Sequence, residues 1–415
     1  MCSDVTGSCS ASVVFPPGAP YIPGRRLITD WRSMEGEQPL QGMARCPRSS
    51  RLNSDQEPMK HILFFDSACP FPYSQDTLLI PGSKIGGAEA TIIRVAQGLS
   101  DSYRVSVGQH NRTTHEECPG RNLAWLTKKE ATESSLNIDV VVVQRRVADL
   151  PLMKRHHPRA RLFVWSHDWF NPCPPGFSRM GLAWRVKVET RFLLYARYDA
   201  VGIAVSRTHM GNIRESLMQT RVIGGLRNRV HLDYVYNPIS DDLDVSPESR
   251  GFDPNKLMFF SAPWKGLDIV LQTFNAVRRH LPELTLHVAT PGYAPAERSE
   301  FSSPENVIFL GSLSHEAVLR EVRTALCVFY PAYSIPESFG LVFAESNAVG
   351  TPVLAHPFGA APELLTPEQL VDGRDVDGIV ERLRAWRSGA RPVVRARKEF
   401  RLSNVVRDWE RVLFS

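Results

Sequence analysis

No stretch of this 415-residue chain holds 18 or more consecutive apolar residues, so nothing in it reads as a membrane-spanning helix. No C-x-x-C pair is present. The seven cysteines are scattered and odd in number, which argues against a disulfide framework or a zinc site and reads as reduced thiols in the cytoplasm. The opening MCSDVTGSCSASVVFPPGAP lacks a basic region followed by an apolar run, so a secretory signal is not expected. There is no G-x-G-x-x-G after a strand, no G-x-x-x-x-G-K-[ST], no H-E-x-x-H and no G-x-S-x-G. A nicotinamide dehydrogenase is therefore a poor fit. A strong charge of one sign is also missing. A net charge of +5 with 22% charged residues suits an anionic ligand or surface without specifying nucleic acid.

What is present suits two domains, since the length is too great for one ordinary core. Residues 1–58 are rich in Pro, Gly, Ser and Arg without any period and read as a disordered tail. Met59 is followed at once by KHILFFD, a first buried strand, so a start at Met59 is the other reading. From there short Val/Ile-rich runs alternate with amphipathic stretches. ILFF (62–65), YRVSVG (103–108), DVVVVQ (139–144), RLFVWS (161–166) and AVGIAVS (200–206) read as strands, and 88–100 as a helix with Ile92, Val95, Ala96 and Leu99 on one face. A polar, turn-rich segment from 236 reads as the linker. The alternation then restarts with strands at 256–261, 284–289, 307–311, 326–331 and 351–355. The expected fold is α/β: two Rossmann-like, doubly wound domains over 59–238 and 239–390 facing a cleft. An amphipathic helix in 391–415, with Val405, Trp409, Val412 and Leu413 on one face, packs back.

The segment PESFGLVFAESNAVGTPVLA (336–355) carries two carboxylates eight residues apart, Glu337 and Glu345. Ligands of open α/β sheets sit beyond the carboxyl ends of strands, which is where the loop 332–338 falls. Phe339 and Gly340 then stand at a helix N-terminus, whose free N–H groups and positive dipole end favour an anion. Gly340 lets the backbone approach that anion. A carboxylate in such a cleft is suited to accept two hydroxyl hydrogen bonds. One ligand fits the set: a sugar at the loop, a diphosphate at the helix start and a ribose deeper along the helix.

E-S-F-G-L-V-F-A-E followed by G-T-P-V-L-A resembles the E-x7-E signature of glycosyltransferase family 4, whose members are retaining, nucleotide-sugar-dependent enzymes of the GT-B fold. IGGAE (85–89), VWSHD (164–168), AVS (204–206), YNPIS (236–240), SAPWKGLD (261–268) and 307–325 resemble family segments in the same order, so the likeness runs from about residue 59 to 415. The resemblance implies that Glu337 contacts the donor hexose and Glu345 the ribose hydroxyls. It implies that Gly86 and Gly87 lie against the diphosphate, and that Ser261 and Lys265 belong to the phosphate loop. His167 would stand beside the reacting sugar and the acceptor. The arginine that members usually carry just before the lysine is missing from Phe260–Trp264, so Lys265 would bear more of the charge, or Lys84 or Arg207 would share it. Front-face attack, with the donor's own phosphate taking the acceptor proton, is what the family pattern suggests.

Amides and a lysine can stabilise the departing diphosphate. The expected cofactor is thus none beyond the donor, and no metal is required. Asp241, Asp242 and Asp244 read as a solvated acidic turn in the linker. Each site residue also has a plain reading: a loop charge for Glu337, a helix-surface charge for Glu345, a satisfied strand-end histidine for His167, a loop opening for Gly86–Gly87 and a surface lysine for Lys265. Two basic stretches, 144–161 and 179–199, read as solvated helix faces. The second interleaves Trp184, Phe192 and Tyr195 with arginines, and the sharper reading of both is contact with anionic lipid at the inner membrane surface, presenting a lipid-linked acceptor. No nucleic-acid motif accompanies them. The expected function is transfer of a hexose from a nucleoside-diphosphate sugar to a glycan or lipid-linked acceptor in cell-surface polysaccharide or glycolipid synthesis. The alternatives are a non-catalytic nucleotide- or glycan-binding partner subunit, or a sugar-nucleotide epimerase of the same fold.

Overall fold

The chain is described from a computed structural model covering residues 59–80, 83, 85–170, 182–244, 251–292 and 305–415, with backbone only for 182–185. The expected tail 1–58, Lys84, Trp184 and part of the linker lie outside the described residues. Everything described belongs to one compact unit, Glu57–Ser415.

The amino-terminal sheet has eight strands: β1 (His61–Asp66), β2 (Arg104–Gln109), β3 (Glu116–Glu117), β4 (Leu123–Thr127), β5 (Val140–Gln144), β6 (Arg161–Trp165), β7 (Val201–Ala204) and β8 (His231–Tyr234). Their order is β3-β4-β2-β1-β5-β6-β7-β8, parallel except for the β3–β4 pair. The carboxy-terminal sheet holds β9 (Asp253–Phe260), β10 (Thr285–Ala289), β11 (Val307–Gly311), β12 (Ala325–Tyr330) and β13 (Val353–Ala355) in the order β11-β10-β9-β12-β13, all parallel. β1, β5 and β12 are buried along their whole length, which is why they read as continuous apolar runs. The short strands β3 (Glu-Glu) and β8 (His-Leu-Asp-Tyr) carry no such run and the sequence pattern missed them, as it missed β4 despite the apolar Leu123–Leu126.

Each sheet starts at its centre and grows both ways, β1 toward β2 and then β5, β9 toward β10 and then β12. The two switch points open a crevice at the strands' carboxyl ends, and those ends face one another. The helix Gly87–Leu99 follows β1 and buries the four residues its period singled out. The helix Leu267–Arg278 follows β9, and Leu341–Ala348 follows β12.

The last helix, Leu402–Phe414, returns to the amino-terminal domain. Trp409 stands 6.0 Å from the Phe64 ring and 4.6 Å from Trp165, and a side chain at Gly98 would collide with Val406. The acidic turn is exposed at Asp241, Asp242 and Asp244, as expected, and it also takes part in this joint. Asp241 accepts the Ser403 N–H at the helix start (3.1 Å), and Nη1 of Arg401 donates to the carbonyls of Ser240, Asp241 and Leu243. Glu363 makes a second joint. Its carboxylate accepts the N–H groups of Arg207 and Thr208 at the start of the helix Arg207–Met218, together with the hydroxyls of Thr208 and Tyr236.

Candidate active site

A cleft of about 740 Å³ lies between the domains, lined by Gly86, Gly87, His167, Ser261, Lys265, Glu337, Phe339, Gly340 and Glu345 as expected from the sequence. Three features of the chain build its carboxy-terminal wall. Gly340 adopts φ +87°, where a side chain would collide with the Phe343 ring, and so starts the helix Leu341–Ala348 on a left-handed residue. The Leu341 and Val342 amides have no partner among the described residues. Phe339 lines the cleft, but its ring is buried against Tyr236 (5.9 Å) and Phe400 (5.1 Å), so its part is to seat the helix start.

The second feature is the lysine turn. Gly266 (φ +100°) lies so close to Ala332 that a Cβ there would approach it to 2.7 Å. This contact presses the Pro263–Lys265 turn onto the loop after β12. Lys265 Nζ therefore reaches both carboxylate oxygens of Glu337 at 2.8 Å. Tyr330 donates its hydroxyl to Glu337 Oε1 at 2.9 Å and also interacts with Ser261. Burial and the neighbouring Glu337 push the Tyr330 phenol well above its ordinary range, so it stays a neutral donor. Glu337 is buried while Lys265 is about a third exposed, so the lysine keeps a face toward the cleft.

The third feature is Glu345. Its Oε1 accepts from His315 Nε2 at 2.9 Å and from Arg94 Nη1 at 3.4 Å. Burial works to raise its pKa, but His315 and Arg94 outweigh burial and hold it below the ordinary carboxylate range. The carboxylate is ionised.

The amino-terminal wall is different. Gly86 and Gly87 begin the helix Gly87–Leu99, yet the Gly86 N–H already donates to Glu89 Oε2 at 2.9 Å. The Gly86 amide is thus engaged at its own helix start, while both glycines line the cleft. Gly87 packs against the facing domain: a Cβ there would stand 2.9 Å from Leu341 Cδ1, which would have to shift. His167 ends β6 with its ring 4.8 Å from Trp165. Burial, then Arg145 and His209, drive its pKa far down, so it is neutral, and its buried Nε2 has no partner among the described residues. Ser338 donates its hydroxyl to the His167 carbonyl (2.6 Å) and Ser206 donates to the Ser338 carbonyl (2.6 Å), tying the histidine loop to the Glu337 loop across the cleft.

Several residues were missed in the sequence. Arg145 follows β5 with φ +59°, rare for a side-chain-bearing residue, and reaches Glu89 (3.4 Å) and Asp168 (3.7 Å). The R-R after V-V-V-Q marked a strand end, but only the fold aims Arg145 inward. Arg94, His315 and Tyr330 carried no local signal at all. Arg207, expected to share phosphate charge, instead donates from Nε to Tyr234 (2.8 Å) and does not line the cleft. Asp66, Cys69 and Glu89 lie close enough together to be compared with a metal site. Protein hydrogen bonds hold them instead: Asp66 accepts from Ala68, Cys69 and Tyr73, and burial raises the Cys69 thiol to about 12. Phe192 and Tyr195 are fully buried, so they do not form the aromatic surface expected in the second basic stretch.

These features define two facing α/β domains with a charged donor-type cleft. Residues 253–400 match the family model described as glycosyl transferases group 1. The chain is 41% identical over 151 residues to a D-inositol 3-phosphate glycosyltransferase of Mycobacterium sp. (strain KMS), covering 32% of this chain and 33% of that protein. It is 31% identical over 130 residues to a GDP-mannose-dependent monoacylated alpha-(1-6)-phosphatidylinositol monomannoside mannosyltransferase of Corynebacterium glutamicum, covering 29% and 34%. The chain thus spans about a third of the length of the curated relatives it matches. Among solved structures it resembles a sucrose-phosphate synthase from Thermosynechococcus elongatus (TM-score 0.58, 14% identity, 86% of this chain and 95% of that one). It also resembles a UDP-forming α,α-trehalose-phosphate synthase from Burkholderia xenovorans (TM-score 0.57, 13% identity, 86% and 99%). The fold is GT-B.

Proposed function

We propose that the chain is a glycosyltransferase that moves a hexose, with retention, from a nucleoside-diphosphate sugar to a glycan or lipid-linked acceptor. The observation that carries this reading is the grouping of Lys265, Glu337 and the amide-bearing start of the Leu341–Ala348 helix on one wall, opposite the unpartnered Nε2 of a neutral His167. The group 1 match over 253–400 supports it.

In this mechanism Glu345 accepts the ribose hydroxyls and Glu337 a hexose hydroxyl. The bond from the anomeric carbon to the diphosphate oxygen breaks. The charge left on the diphosphate is met by Lys265 and the Leu341 and Val342 amides, which are in place before it develops. The acceptor oxygen bonds to the anomeric carbon on the same face, and its proton passes to the departing phosphate oxygen. His167 orients the sugar hydroxyls through Nε2. The exposed face of the helix Leu182–Tyr198 shows Val186 and Leu193 with Lys187 and Arg197, which suits an anionic lipid surface delivering a lipid-linked acceptor.

A thermal-shift panel with UDP, GDP, ADP, dTDP and their sugar conjugates tests the donor site. One nucleotide should raise the melting temperature by mass action, and Glu345→Ala should abolish the shift. Release of nucleoside diphosphate on adding acceptor then separates an enzyme from a non-catalytic partner subunit, and conversion of the donor without acceptor or nucleoside diphosphate release points to an epimerase-type reaction. The acceptor panel includes inositol phosphates and phosphatidylinositol glycolipids, after which the two relatives are named.

A further inference from the structure

Arg94 lies two turns into the helix Gly87–Leu99, on the wall opposite the E-x7-E helix. Its Nη1 is 3.4 Å from Glu345 Oε1 and 3.3 Å from the Pro238 carbonyl. One nitrogen thus joins the amino-terminal domain, the segment connecting the domains and the carboxy-terminal helix. The side chain is only 12% exposed, yet Nε and Nη2 have no protein partner among the described residues. On the other side of the pair, His315 and Arg94 both take Oε1 of Glu345, and Oε2 has no partner among the described residues. Two donors on one oxygen fix the rotation of the carboxylate and turn its second oxygen to the cleft.

We propose that Arg94 is a positioning residue for donor recognition: it holds Glu345 rotated so that Oε2 reads the ribose diol, which makes nucleotide binding a joint act of both domains. This rests on the donor-site reading above. A buried carboxylate that loses its guanidinium partner is free to turn, so what it recognises suffers before the fold does.

The test uses the full chain, as wild type, Arg94→Met and Arg94→Lys, titrated calorimetrically with UDP, GDP and ADP and with their 2′-deoxy counterparts. Wild type should prefer one ribonucleotide over its deoxy form. Arg94→Met should weaken the ribonucleotide about tenfold while changing the deoxy form little, so that the preference narrows toward one. Arg94→Lys, which keeps a cation, should recover part of it. An equal loss for both forms, or no loss, overturns the proposal, since damage to the fold scales both affinities alike. A wild type that binds the ribo and deoxy forms equally overturns it too. A folded wild type that binds none of the nucleotides instead overturns the donor-site reading itself.

Discussion

On the carboxy-terminal wall both carboxylates are held by partners: Glu337 by Lys265, and Glu345 by His315 together with Arg94 reaching across from the facing domain. On the amino-terminal wall His167 keeps a buried nitrogen without a partner, and Arg145 stands on a left-handed backbone. The group 1 family match covers the first wall and not the second. Groups that stabilise charge must be held in place before the charge appears, so they are built in and locally legible. His167 and Arg145 follow different strands, and only the fold brings them together.

The sharpest way to break this comparison is to remove a charge from the first wall. Lys265→Met should cut turnover about 10²–10³-fold, read as nucleoside diphosphate release under saturating donor. A smaller loss than for a substitution on the facing wall would reverse the assignment of roles.

Acid should separate the halves next. His61 and His209 both lie in the amino-terminal domain, and burial lowers each to about 4. His209 is committed to the neutral form: Nδ1 faces the Val205 N–H at 3.4 Å and Nε2 the Asp168 carbonyl at 3.0 Å. Because the folded pKa lies below the unfolded one, the unfolded chain binds the extra proton between these values. Stability is therefore full above about pH 6.5 and falls as pH drops toward 4, by up to about 3 kcal/mol per group. Hydrogen exchange at pH 7 and pH 5 should show β1 and the Arg207–Met218 helix opening first. Equal loss in both domains would remove this difference.

Glycines sharpen the contrast further. Gly340→Ala should cost about 1–3 kcal/mol in chemical denaturation and weaken nucleotide binding, because it combines a left-handed backbone with the Phe343 collision. Gly120→Ala, at φ +75° with open space around its Cβ position, should cost only about 1 kcal/mol. The smallest effect is expected at His167→Ala. Turnover should fall about tenfold, the value of one uncharged hydrogen bond.

Legibility followed the same division. The strands β1, β5 and β12 were readable because burial on both faces forces a continuous apolar run, and the helix Gly87–Leu99 because one buried face forces a period. The edge strands β3 and β8 were not, since they answer to a neighbour on one side only. Glu337, Gly340 and Glu345 were readable together because a helix start, a loop carboxylate and a helix carboxylate occupy one short segment. Phe192 and Tyr195 misled because a sequence of rings and arginines does not say which side of a helix is covered.

By itself the sequence determined two α/β domains, the crevice at their strand ends and the segment that starts a helix on a left-handed glycine. These depend on periodicity and backbone conformation, which are local. The tertiary structure alone decided that Arg94 meets Glu345 and that Asp241 and Glu363 hold the domains together. These contacts join residues more than 150 positions apart, and the pairing of charges across such a gap is set by how two packed sheets face each other.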